Sequence, residues 1–177
     1  EIDLAKFKRK AASMFRQNLL GELKGLEREE AFDFFNDKVG EIITAKVVAV
    51  NDKFITFYLG KGMDATMGYK DALPNETFNI NEEKKVYLAK VEKTTKGPRI
   101  YISRSSKEMV KKLFEMYIPE ISSGLIEIMG IAREAGSRTK IGVMSVNGDL
   151  DPKGACVGNG GARIKAINQI LNGEKID

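Results

Sequence analysis

Gly158-Asn159-Gly160-Gly161 is the stretch whose residue types offer the most specific chemistry. A loop without long side chains lets a sugar-phosphate backbone approach the main chain. Amides of the loop and of the helix that follows can then donate to phosphate. The flanks read as helices. Ala155, Cys156 and Val157 lead in, and Ile164, Ile167, Ile170 and Leu171 follow at spacings of three and four, before Asn172-Gly173 stops the pattern. Other glycine motifs fit less well. A dinucleotide fingerprint needs a third glycine where Arg163 stands, and it follows a strand rather than a helical pattern. A phosphate-binding P-loop needs Gly-Lys-Ser/Thr, which is absent. Taken alone, the glycines also suit an ordinary helix–helix turn.

Most other chemistry is excluded by composition. The sequence has no histidine, which removes Ser-His-Asp and Cys-His catalysis and histidine-based metal sites. The single cysteine, Cys156, sits among apolar residues and reads as a packed small hydrophobe. It has no partner for an internal disulfide, which favours a reducing compartment and a cytoplasmic location. Glu29-Glu30 and Glu82-Glu83 are sequence neighbours and read as solvated surface. No catalytic residue, metal or cofactor is expected, and no apolar run is long enough to span a membrane. The net charge of +4 is too small to argue for nucleic acid by itself, so an RNA reading has to rest on local placement.

The elements that must position the loop fall into three parts. Residues 1–38 form a long helix, with Phe7, Ala11, Met14, Phe15, Leu19, Leu23 and Leu26 as its apolar stripe and Phe32, Phe34 and Phe35 docking its end. An isolated helix cannot bury that stripe, so it needs a partner; a coiled-coil dimer is the alternative. Residues 39–104 change to period two. Ile55, Phe57 and Leu59 face one way and Phe54, Thr56 and Tyr58 the other, within five short strands that suggest an OB-type β-barrel. Residues 105–177 run helix (ended by Pro119), strand, strand, helix, Gly-x-x-Gly, helix, and a strand beginning at Lys175. The expected fold is multidomain α+β.

Resemblances sharpen this reading. The order of elements in 105–177 is that of the prokaryotic (type II) KH domain, whose Gly-x-x-Gly loop clamps about four nucleotides. Val39-Gly-Glu-Ile-Ile-Thr-Ala-Lys-Val47 resembles the opening of the RNA-binding barrel repeated in ribosomal protein S-one. Phe114-Glu-Met-Tyr-Ile-Pro-Glu-Ile121, Ile131–Ile141, Asp151-Pro-Lys-Gly-Ala-Cys-Val-Gly158 and Gly173-Glu-Lys-Ile-Asp177 together resemble the bacterial NusA family, as do Lys93–Pro98 and Ile102-Ser-Arg104. The resemblance implies a transcription factor rather than an enzyme. It binds RNA polymerase through its N-terminal domain and single-stranded nascent RNA through barrel and KH domains, acts with other Nus factors, and modulates elongation, pausing, termination and antitermination.

On the same resemblance, the chain is expected to be a piece of a longer protein, with its last KH strand cut short and a second KH domain missing. The implied RNA site comprises Gly158, Asn159, Gly160 and Gly161, with Arg163 and Lys165 on the next helix and Arg133, Arg138 and Lys140 on the strand hairpin. On the barrel the candidates are Lys53, Phe54, Tyr58, Tyr69 and Arg99. Many relatives carry Lys or Arg inside the loop where this chain has Asn159-Gly160. Weaker, more salt-tolerant RNA binding is therefore expected of this loop. RNA-degradation assemblies also combine these modules. An exosome-cap-like subunit lacks the long helix, and polynucleotide phosphorylase places its KH domain before its barrel.

Overall fold

The computed structural model describes the backbone of residues 4–177 and the side chains of residues 8–177. Residues 1–3, and the side chain of Phe7 from the apolar stripe, lie outside the described residues. Helix α1 spans Leu4–Asn36, 33 residues without proline and roughly 50 Å long. Among its described side chains, those of the last turns are packed. Phe35 is buried in the core of the following barrel and Phe32 lies at that core's edge. Phe34 stays on the surface, where Lys38 and Lys61 hold their ammonium groups 4.9 and 5.2 Å from its ring centre. Met14, Phe15, Leu19, Leu23 and Leu26 line the free part of the helix and are exposed.

Strands β1 (Ile42–Val50), β2 (Phe54–Gly60), β3 (Met63–Gly68), β4 (Glu83–Thr94) and β5 (Gly97–Ser103) form one antiparallel sheet, ordered β3-β2-β1-β4-β5. Its outer strands β3 and β5 pack against each other, so the sheet nearly closes into a barrel. Alternation decides what the barrel encloses. Ile55 and Phe57 are fully buried, while Phe54 and Tyr58 on either side of them face out. Leu59 is partly buried at the core's edge. The long β3–β4 connection begins with a single helical turn at Tyr69–Asp71, and it sends Phe78 edge-on against Phe57.

The rest of the chain is a three-stranded sheet covered on one side by helices. Helix α2 (Lys107–Tyr117) starts where the Ser106 hydroxyl accepts from the Met109 amide at 3.3 Å, and it buries Met109, Val110, Leu113 and Phe114. Pro119 ends α2 by holding Ile118 extended, and it then opens a second short helix, α3 (Pro119–Ser122), because proline fits the first helical position. Strands β6 (Ile126–Glu134) and β7 (Arg138–Ser145) form a hairpin, followed by α4 (Pro152–Val157), α5 (Ala162–Ile170) and β8 (Lys175–Ile176). Strand β8 adds in parallel to β7. The other face of this sheet is open, with Met129, Met144 and Lys140 exposed.

Arg104 joins the two units. It is 1% exposed, and its guanidinium donates to both oxygens of the buried Glu76 at 2.8 and 2.6 Å, to the Lys85 carbonyl and to the Ile170 carbonyl at 2.8 Å. The first three acceptors belong to the barrel and the fourth ends α5. A second contact brings Pro74 of the barrel so close to Gly136 that a Cβ there would lie 2.8 Å from its Cδ.

Candidate nucleic-acid interface

Helix α4 is started by Asp151, whose carboxylate accepts from the Lys153 amide at 3.1 Å, with Pro152 as its first helical residue. The chain then turns through Gly158 (φ 72°, ψ 174°), Asn159, Gly160 (φ 59°) and Gly161 (φ 76°) into α5. The Gly158 conformation is essentially restricted to glycine, and a Cβ there would sit 2.8 Å from Cγ of Arg163. Inside the loop the Gly158 amide donates to the Gly154 carbonyl at 2.9 Å and the Gly161 amide to the Gly158 carbonyl at 3.0 Å. Any phosphate bond from this loop therefore falls to its tip, Asn159 and Gly160.

The two cations of α5 stand beside the loop and are turned onto protein acceptors. Arg163 Nη1 donates to the Ala155 carbonyl and to Glu120 on α3, both at 2.7 Å. Lys165 Nζ donates to the Gly160 carbonyl at 3.0 Å. A bond to its own backbone and the Arg163 guanidinium outweigh desolvation and hold the Glu120 carboxyl below its ordinary range. Burial pushes the nearby Cys156 thiol up, so it stays protonated and packed in the core.

The hairpin candidates separate from the loop. The Arg133 side chain is 2% exposed and cannot meet a phosphate: it makes a two-pronged pair with the fully buried Glu174 at 2.9 and 2.8 Å and also donates to the Ser106 carbonyl. Thr139 and the Gly136 amide complete the shell around Glu174. Burial alone would raise the Glu174 pKa, but bonds from Arg133, Thr139 and Gly136 outweigh it, and the carboxyl is held below its ordinary range. Arg138 and Lys140 flank the buried Thr139, so they stand on the open face of the sheet, opposite the helices that carry the glycine loop. Arg138 is half exposed and paired with Asp177 at 2.9 Å.

On the barrel, Phe54, Tyr58 and Tyr69 are 38%, 41% and 44% exposed, so none of them is a core residue. Phe54 lies opposite Gly68, next to Tyr69, and the Tyr69 hydroxyl donates to the Asn51 carbonyl at 2.9 Å. That brings Phe54, Tyr69 and the exposed Lys53 together at one end of the β2–β3 face. Tyr58 occupies the other end, opposite Lys46 and Asp64. Arg99 is on β5, its guanidinium 5.1 Å from the ring centre of Tyr101. Lys90 approaches the same ring at 6.0 Å, and the phenol donates to Glu92 at 2.8 Å.

Residues 104–177 match the family model of the NusA-like first KH domain. The chain is 42% identical over its full length to the transcription termination/antitermination protein NusA of Bacillus subtilis strain 168, covering 47% of that protein. It is 37% identical to NusA of Thermus thermophilus, over 99% of this chain and 46% of the relative. The chain belongs to the NusA family. It spans about half the length of these NusA relatives, and a third of NusA from Rickettsia conorii, to which it is 37% identical.

Two features of this NusA segment escape sequence reasoning. Tyr101 is an aromatic of the same kind as Tyr58, and its two-residue spacing from Arg99 was the available signal. Arg104 lies within a stretch that resembles the family, but its partners are 28, 19 and 66 residues away in the chain. Among the described residues no helix is long and apolar enough to cross a membrane.

Proposed function

We propose that this NusA segment is a non-enzymatic, cytoplasmic RNA-binding module organised as 1–38, 39–104 and 105–177, holding single-stranded nascent RNA at two places. One is the Gly158–Gly161 clamp with Arg163 and Lys165; the other is the barrel face of Lys53, Phe54, Tyr58, Tyr69 and Arg99, to which Tyr101 is added. Arg138 and Lys140 serve the open sheet face and do not join the clamp's phosphate track. In the whole protein this binding serves elongation, pausing, termination and antitermination, with α1 belonging to the part that meets RNA polymerase and other Nus factors.

The observation that carries this reading is the glycine loop. Three residues at positive φ give it a backbone surface whose own side chains are limited to Asn159, with Lys165 reaching the Gly160 carbonyl from α5. A simple helix C-cap uses one such residue, and this loop has three. The barrel adds stacking, which is worth about 1–3 kcal/mol per base.

The test is anisotropy of a labelled single-stranded RNA with Asn159→Asp/Gly160→Asp. Asn159→Asp conserves shape, and Gly160 has open space and a φ that aspartate tolerates, so circular dichroism should remain unchanged. Loss of binding at least tenfold is expected, since two carboxylates at the tip repel phosphate. Equal binding by the folded variant would move the RNA to the barrel and leave the loop a turn.

A further inference from the structure

The Arg163–Glu120 pair differs in kind from the two arginine pairs buried in the core. Arg133–Glu174 and Arg104–Glu76 are sealed, with side-chain exposures of 2% or less. Arg163 and Glu120 are 31% and 25% exposed. A sealed pair cannot exchange partners without leaving a buried charge. A rim pair is held weakly, and a phosphate can compete for it.

Its position matters. The Arg163 stem lies against Gly158, the first glycine of the loop, and its guanidinium bridges the end of α4 to α3. Arginine carries five donors, and the bonds to Ala155 and Glu120 use one nitrogen, Nη1. Ala155 keeps the side chain in place without any carboxylate. Glu120 adds a negative charge where the clamp would receive one from RNA.

Resting on the clamp reading of Gly158–Gly161, we propose that Glu120 is a built-in competitor of the RNA phosphate, an autoinhibitory contact that neutralises Arg163 and sets the affinity of the loop. Because this loop has Asn159 and Gly160 in place of a cation, Arg163 and Lys165 are the cations beside it, and one of them is held by a carboxylate. Removing the Glu120 charge while keeping an acceptor for Arg163 leaves the packing intact and frees one positive charge.

The experiment titrates a labelled single-stranded RNA of mixed sequence, over a salt series, into the unsubstituted chain, Glu120→Gln, Arg163→Gln, the double variant, and Asn159→Asp/Gly160→Asp. Glu120→Gln should bind about fivefold tighter, the scale of one rim ion pair. Its slope of log affinity against log salt should steepen by about 0.7, the value for one added phosphate contact to a single strand. The double variant should lose both gains. A merely structural role for the pair would shift the melting temperature but not the salt slope. If Glu120→Gln lowers the melting temperature, Glu120→Asp, which keeps the charge but withdraws it, should show a smaller gain. If neither variant binds tighter while the loop aspartates still abolish binding, the competitor proposal is wrong and the clamp stands. If the loop aspartates bind RNA normally, the clamp reading fails, and Glu120 with it.

Discussion

Gly158 and Gly160 look alike in the sequence and do different work. Gly158 combines a glycine-only backbone with the Arg163 stem packed on its Cα, whereas Gly160 is left-handed with open space around it. Gly158→Ala should therefore cost about 2–3 kcal/mol, backbone strain plus displacement of Arg163, while Gly160→Asn stays within about 1 kcal/mol. Urea denaturation of the two variants checks this; equal losses would mean that the loop relaxes around any side chain. Arg133 shows the same principle for charge. Its removal leaves Glu174 buried without its cation, so Arg133→Ala should destabilise by about 3–5 kcal/mol. Because the folded Glu174 pKa is depressed, its contribution is fully present above the ordinary value of 4.5 and is lost as pH falls through the lower folded value. Thermal melts between pH 6 and pH 3 should show that acid limb in the unsubstituted chain and a flatter one in Arg133→Ala.

The elements show which of these roles can be read from spacing. Period two in β2 correctly separates Ile55 and Phe57 from Phe54 and Tyr58, because a regular strand alternates without interruption. In β6 the same rule fails. A bulge between Ile128 and Gly130 inserts one residue, so Ile131 and Arg133 share the inner face with Ile126 and Ile128. Counting on from Ile128 puts Arg133 outside, where a phosphate contact is plausible; the bulge turns it onto Glu174. The glycine loop was legible because its constraint is local to four residues. The bond from Arg163 to Glu120 was not, since it closes over 43 residues. At this scale the barrel face yields its own expectation. Tyr58→Ala, Phe54→Ala and Tyr101→Ala should each weaken single-stranded RNA by about 1–3 kcal/mol without steepening or flattening the salt slope, because stacking releases no counterions. An alanine that leaves affinity unchanged removes that ring from the RNA path.

The molecule as a whole depends on how these two faces are held together. Helix α5 begins at the glycine loop and ends on Arg104, so one helix of nine residues connects the clamp to the barrel. Arg104 accomplishes this from a site with 1% exposure, where its charge is balanced by Glu76 alone and its remaining donors meet carbonyls. Net charge is modest, which leaves little long-range field to gather RNA, so on the proposed reading affinity comes from two local sites acting on one strand. Rigid spacing keeps the second site at high effective concentration once the first is filled. Arg104→Ala leaves the buried Glu76 with only Lys84, at 3.5 Å, as its cation and cuts the Ile170 bond. It should separate a single calorimetric transition into two, one for the barrel and one for the KH unit, and it should weaken a long single-stranded RNA that reaches both faces more than a short one that fills only the loop. Arg104→Met combined with Glu76→Leu fills the same space without a charge, and should recover stability but not the α5 bond. If that double variant also recovers the affinity for long RNA, packing and not the Ile170 bond sets the geometry; if it melts as one unit yet binds long RNA weakly, the position of α5 is what the guanidinium secures.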